Sequence, residues 1–273
     1  MKKILFVCTG EDYPKGAFTF LESLQLEEPV CVTGLFFCPL DYSQMACVSQ
    51  VPVVDPYLRL REKEISIVDR NKELFAKECA ARHIKHHLHE NTERWDKDLF
   101  AKASRFSDLV LLSGQLFCED AGARQPNMFL QEALHGTECP IIVVPEEYKP
   151  VQHLVIAYDG SKDNLFAIKQ FCYLFPQYLD LPTEIVYVKD ESTEHMPDIE
   201  ELKSFSRLHF SSMGFSKLHF KAAHYFASWV GEKHSVMLIT GAFGRSSFSY
   251  VTKKSFAEQV IREHGMPVFI AHT

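Results

Sequence analysis

The sequence predicts an α/β protein made of two similar halves, each a five-stranded parallel sheet with helices on both faces. The first observation is an internal repeat. Residues 4–10 read Ile-Leu-Phe-Val-Cys-Thr-Gly, and residues 154–160 read Leu-Val-Ile-Ala-Tyr-Asp-Gly, 150 positions later. Towards the ends of the halves, 108–114 aligns with 235–241 and 139–144 with 266–271, now 127 positions apart. The halves therefore share a beginning and an end, as a tandem duplication does. The second observation is that short apolar runs alternate with longer amphipathic stretches throughout. The third is that those runs are rich in Val, Ile and Leu at consecutive positions, the pattern of strands buried on both faces. Strands alternating with helices give a doubly wound parallel sheet, which binds ligands beyond the carboxyl ends of its strands.

The elements follow in order. Strands are expected at 3–8, 30–37, 84–89, 108–113 and 140–144 in the first half. In the second they are expected at 153–158, 183–189, 216–220, 235–240 and 267–271. Helical patterns run over 60–82 and 95–106, then over 163–177, 197–213 and 252–264. Pro145 to Pro150 interrupts the apolar pattern, dividing a domain over 1–148 from one over 149–273. The first half is about 23 residues longer between its matched ends, and 38–61 reads as a long loop that holds most of the excess. The last apolar runs, 140–144 and 267–271, are expected to pair within the chain and form an intrachain pseudo-dimer, which leaves room for a further homodimer.

Composition narrows the function classes. The chain has 273 residues, 46% hydrophobic and 24% charged, with a net charge of −7. Those proportions suit an ordinary globular protein. The acidic balance argues against nucleic-acid or anionic-membrane partners. No apolar run approaches the roughly 20 residues that span a bilayer. The apolar stretch after Lys3 is too short for a signal peptide and reads as a buried strand. Eight cysteines occur without a Cys-x-x-Cys pair, several inside apolar runs, as expected of reduced, buried thiols in a cytoplasmic protein. No P-loop is present, and Phe248 stands where a nucleophile elbow needs its last glycine. His83, His86, His87 and His89 read as a solvent-facing edge strand rather than a zinc site. The chain is therefore expected to recognise a ligand without catalysing its reaction.

The stretch from Gly241 to Ser255 carries the strongest functional signal. Gly241-Ala-Phe-Gly244-Arg245 begins where an apolar strand stops, and Lys253, Lys254 and Ser255 lead into a helical pattern. Glycines let backbone amides approach an anion, and a helix amino terminus adds its dipole. Across 241–262 there are four Lys/Arg and one carboxylate, against the chain's overall charge. The same residues also read as a plain strand-to-helix turn with a basic, soluble surface.

Here the sequence resembles the universal stress proteins in their tandem two-domain form. ATP-binding members carry Gly-x-x-Gly, nine residues, then Gly-Ser or Gly-Thr. Gly241, Gly244 and Ser255 match, and Lys254 stands at the third glycine. The family's first strand ends in Asp-Gly-Ser, as at Asp159-Gly160-Ser161, and its second in Val-x-Asp, as at Val188-Lys189-Asp190. Both Cys139-Pro140-Ile-Ile-Val-Val and Met266-Pro267-Val-Phe-Ile resemble its closing strand.

The resemblance implies Rossmann-like domains of the adenine nucleotide alpha hydrolase-like type. It also implies a stress-response role exercised through unknown protein partners. By the same resemblance Asp159 and the backbone of Ala157 face adenosine, and Val188 hydrogen-bonds adenine through its main chain. Gly241, Gly244 and Ser255 contact ribose and phosphates of ATP or another adenine nucleotide, with Arg245 and Lys253 adding charge. Lys254 either obstructs the phosphates or contacts them with its ammonium. In the first half Thr9 replaces Asp159, Phe117 replaces Gly244, and Asn127-Met128 replace Lys254-Ser255. That half is expected to have lost its site. The alternative is a scaffold in which both sites are degenerate.

Overall fold

The computed structural model describes residues 1–9, 13–37, 54–89, 95–114, 128–187, 196–217, 229–230, 233, 235–241 and 265–273. In chain order the elements of the first half are β1 (Lys2–Thr9), α1 (Lys15–Glu27), β2 (Val30–Phe37), α2 (Val54–Ala81) and β3 (Lys85–Leu88). It ends with α3 (Lys97–Arg105), β4 (Leu109–Ser113), α4 (Met128–Gly136) and β5 (Ile141–Val144). The second half has β6 (His153–Tyr158), α5 (Lys162–Leu174), β7 (Thr183–Tyr187), α6 (Ile199–His209), β8 (Met213–Lys217), β9 (Val236–Thr240) and β10 (Val268–Ile270).

The strands form one sheet in the order β3-β2-β1-β4-β5-β10-β9-β6-β7-β8. Within each half the described strands pair in parallel throughout, and the strand order 3-2-1-4-5 is that of a doubly wound fold. The halves meet at β5 and β10, which run antiparallel with Ile142 opposite Phe269. The two closing strands thus lie side by side, and the two expected sheets are continuous through that junction. Each last strand covers the edge that the other would expose.

Alternation along the strands sorts the core onto two faces. Ile4, Phe6 and Cys8 of β1 join one buried cluster, and Leu5 and Val7 join the other. Both faces of β1 are fully covered, which is why its sequence is apolar at successive positions. β3 is an edge strand with Lys85 and His87 exposed, as the histidine-rich sequence predicts. Cys8, Cys79 and Cys172 are buried thiols outside any disulfide, and Cys31 and Cys139 are half-buried ones. Burial pushes the thiols of Cys79, Cys139 and Cys172 up to about 12. Among the described residues no helix is long and apolar enough to cross a membrane.

Some boundaries differ from expectation. α2 starts at Val54, so 54–61 is helical rather than loop. Pro56 falls in the first turn, where no intrahelical amide is needed. β8 lies three residues earlier than 216–220 and includes Gly214, where an added Cβ would meet open space. The strand expected at 183–189 is described as far as Tyr187, and the helix expected over 252–264 lies outside the described residues.

Candidate functional site

The second half places its candidate residues where the strand order turns. β6 pairs with β7 on one side and with β9 on the other, so its carboxyl end is the switch point of this half. Ala157 is buried within the end of β6. After Tyr158 the chain turns through Asp159, Gly160 and Ser161 into α5. Asp159 Oδ1 accepts the backbone N–H of Ser161 at 2.8 Å, closing the turn. Gly160 has φ +83°, and a Cβ there would stand 2.8 Å from the Pro197 ring. Ser161 is the N-cap of α5, and its Oγ accepts the Asn164 N–H at 3.2 Å. The Asn164 Nδ2 donates to the same hydroxyl at 3.3 Å.

Gly241 follows β9 and lies against the first turn of α5. A Cβ there would stand 2.5 Å from the Asn164 nitrogen and 2.6 Å from the Asp163 carbonyl carbon. The missing side chain therefore lets β9 and α5 approach each other closely. Asp163, in the same turn, accepts the backbone N–H of Thr273 at 3.2 Å and its hydroxyl at 2.7 Å. Partial burial raises the Asp163 carboxyl, but these two donors outweigh it and hold the group below its ordinary value. His272 meets the Leu134 carbonyl of α4 through Nε2 at 2.8 Å. The segment after β10 thus touches both halves beside the candidate site.

Next to the Asp-Gly-Ser turn a cavity of about 410 Å³ opens between α5 and α6, lined among others by Tyr158, Gly160, Ser161, Lys169, Glu201 and Phe205. Lys169 places its ammonium 5.9 Å from the centre of the Phe205 ring. Tyr158 donates to the Pro197 carbonyl at 3.4 Å. Its phenol is raised by burial first, and then by the carboxylates of Asp198 and Asp159.

The first half is built differently at the matching place. α1 has Pro14 at its N-cap position and no side-chain cap, so no counterpart of Ser161 holds its first turn. A Cβ on Gly16, in that turn, would collide with the Pro145 carbonyl, and the Glu146 carbonyl stands 2.5 Å away. Gly114, the counterpart of Gly241, has the Val144 carbonyl 3.0 Å from its Cβ position. The segment after β5 therefore packs directly on this helix start.

Of the residues singled out from the sequence, the structure brings Ala157, Asp159 and Gly241 to the adjoining ends of β6 and β9. Val188, Gly244, Arg245, Lys253, Lys254 and Ser255 lie outside the described residues, as do Phe117 and Asn127. Ser161, named from the sequence only within the Asp-Gly-Ser match, and Asn164, which was not singled out, complete the site. Their signal is a hydroxyl followed three residues later by an amide at a helix start, a spacing close to a capping box.

The strand order, the junction and the switch-point turn define a two-copy, Rossmann-like α/β protein. No family model matches the sequence, and no curated protein matches it. Solved structures do. A universal stress protein from Archaeoglobus fulgidus DSM 4304 is 14% identical with a TM-score of 0.69, the match covering 98% of this chain and 96% of that one. A candidate universal stress protein from Pseudomonas aeruginosa UCBPP-PA14 is 13% identical with a TM-score of 0.56, over 100% of this chain and 93% of that one. A functionally unknown protein from Pseudomonas aeruginosa PAO1 is 12% identical with a TM-score of 0.55, over 100% and 92%. The fold is that of the universal stress proteins, matched through both halves.

Proposed function

We propose that the second half binds an adenine nucleotide, ATP in the first instance, and that occupancy alters protein–protein contacts in a stress response without catalysis. The observation that carries this reading is the convergence of Ala157, Asp159 and Gly241 at the carboxyl ends of β6 and β9. That crevice is where doubly wound folds take their ligands. The hydroxyl- and cation-rich segment that follows Gly241 supplies groups suited to phosphates. The first half contributes no second site, because its helix start is packed against Pro145 and Glu146.

Calorimetric titration of the full chain with ATP tests the proposal. One site per chain at most is expected, and two equivalent sites would contradict it. Asp159→Asn keeps the acceptor that closes the turn and removes the charge, so a loss of affinity there reports on the ligand. Lys254→Ala weakens ATP binding by about ten- to hundredfold if its ammonium contacts phosphate. Lys254→Gly tightens binding if the side chain obstructs.

The scaffold reading gains from Gly241, since the packing of α5 accounts for that glycine without any ligand. It stands if wild type, Lys254→Gly and Gly244→Val all fail to bind any adenine nucleotide at millimolar concentration.

A further inference from the structure

Asn164 leaves a polar atom unused beside Gly241 in the candidate site. Its side chain is buried, with 6% of the residue exposed, in the first turn of the 13-residue helix α5. One branch of the amide is engaged: Nδ2 donates to Ser161 Oγ at 3.3 Å. The other branch, Oδ1, is buried without a hydrogen-bond partner. The amide lies in the seam between the two strand ends, because the Cβ position of Gly241 is only 2.7 Å from Asn164 Nδ2. A buried carbonyl oxygen without a donor forfeits the hydrogen bonds it made to water in the unfolded chain. Leucine would fill the space without that cost, and a bound donor would remove it.

We infer that Asn164 is a specificity-determining residue that hydrogen-bonds a hydroxyl group of the ligand held between β6 and β9. This rests on the nucleotide reading, in which the hydroxyl belongs to the ribose. A hydroxyl suits the place on chemical grounds. It donates to Oδ1, and if the two amide atoms are exchanged it accepts from the N–H instead. Its own oxygen can also receive a backbone N–H from the amino-terminal turn of α5, where the helix leaves donors unpaired. A phosphate oxygen has no proton to give and would repel Oδ1. The anionic end of the ligand therefore lies away from Asn164, towards the cations that follow Gly241 in the sequence.

The test is calorimetric titration of the full chain with ATP, 2′-deoxyATP and 3′-deoxyATP, in wild type and in Asn164 variants. Wild type is expected to prefer ATP over one deoxy analogue by about tenfold, the worth of one buried hydrogen bond. Asn164→Leu should bind ATP about tenfold more weakly and lose that preference. Asn164→Asp, which keeps an acceptor in a helical first turn, should retain it. Asn164→Ser withdraws the amide without adding bulk, and should lose the preference even if the leucine variant fails to fold. Thermal unfolding of each variant separates binding from folding. If wild type binds ATP and the deoxy analogues equally, or if the serine variant keeps the wild-type preference, Asn164 does not read a hydroxyl. Either result leaves nucleotide binding itself intact. A wild-type protein that binds no nucleotide overturns both readings.

Discussion

Gly241 serves packing, whatever it does for a ligand, and substitution separates the two. Adding a methyl group places a carbon 2.5 Å from a backbone nitrogen of α5, and that backbone cannot swing aside as a flexible side chain can. Gly241→Ala should therefore lower stability by roughly 3 kcal/mol, at the upper end of typical overpacking costs. Chemical denaturation measures it, and a variant as stable as wild type would show that α5 does not rest on this glycine. A second effect at the same turn depends on pH. The Asp163 value is lowered on folding, so its contribution is complete above the ordinary carboxylate range and is lost as pH falls through the lowered value. Melting temperatures from about pH 7 to about pH 3 should fall less steeply for Asp163→Asn than for wild type. Gly241 was legible in the sequence because it recurs as Gly114 at a strand end within the repeat, and Asp159 because it opens the Asp-Gly-Ser turn after another strand. Asn164 was not, since its spacing from Ser161 marks only a helix start, and a buried orphan amide is defined by what surrounds it.

Capping links the helices to the site unequally. Ser161 holds the first turn of α5 beside Gly241, whereas Asp96 holds that of α3, accepting the Asp98 and Leu99 amides at 2.9 and 3.0 Å. Removing either cap should cost about 1 kcal/mol. Ser161→Ala should also weaken nucleotide binding, because Asn164 loses the hydroxyl that orients its amide. Asp96→Ala should leave binding unchanged, so equal affinities in the two variants would disconnect the α5 cap from the site. The same elements show what periodicity can reveal. Strands with both faces buried, such as β1 and β4, announce themselves by unbroken apolar runs. α1 escaped notice although Ala17, Phe20, Leu21 and Leu24 form a buried face, because its start has neither a capping side chain nor an acidic first turn. β8 slipped by three residues because Gly214 looks like a terminator, yet an edge position tolerates it.

Continuity of the sheet makes the two halves one mechanical body. Across the junction Phe269 faces Ile142, and both are fully buried. Phe171 and Phe175 pack edge-on against Phe269 with ring centres 5.3 and 5.9 Å away. Lys2 of the first half reaches over the Phe175 ring at 5.9 Å. Independent domains joined by a linker would lack such a shared core and would unfold separately. The chain offers its own reporters, since it holds two tryptophans, Trp95 in the first half and Trp229 in the second. Trp95 donates to Glu132 at 2.7 Å and packs on Phe37, and Trp229 lies under the Lys233 ammonium at 4.3 Å. Replacing one tryptophan at a time by phenylalanine gives a fluorescence signal from each half alone. Denaturant transitions followed by the two signals should coincide. Phe269→Ala should shift both by the same amount, corresponding to about 3–5 kcal/mol for a large buried aromatic. A shift confined to the Trp229 signal would mean that β10 stabilises only its own half, and that ligand occupancy there has no route through the sheet to the other.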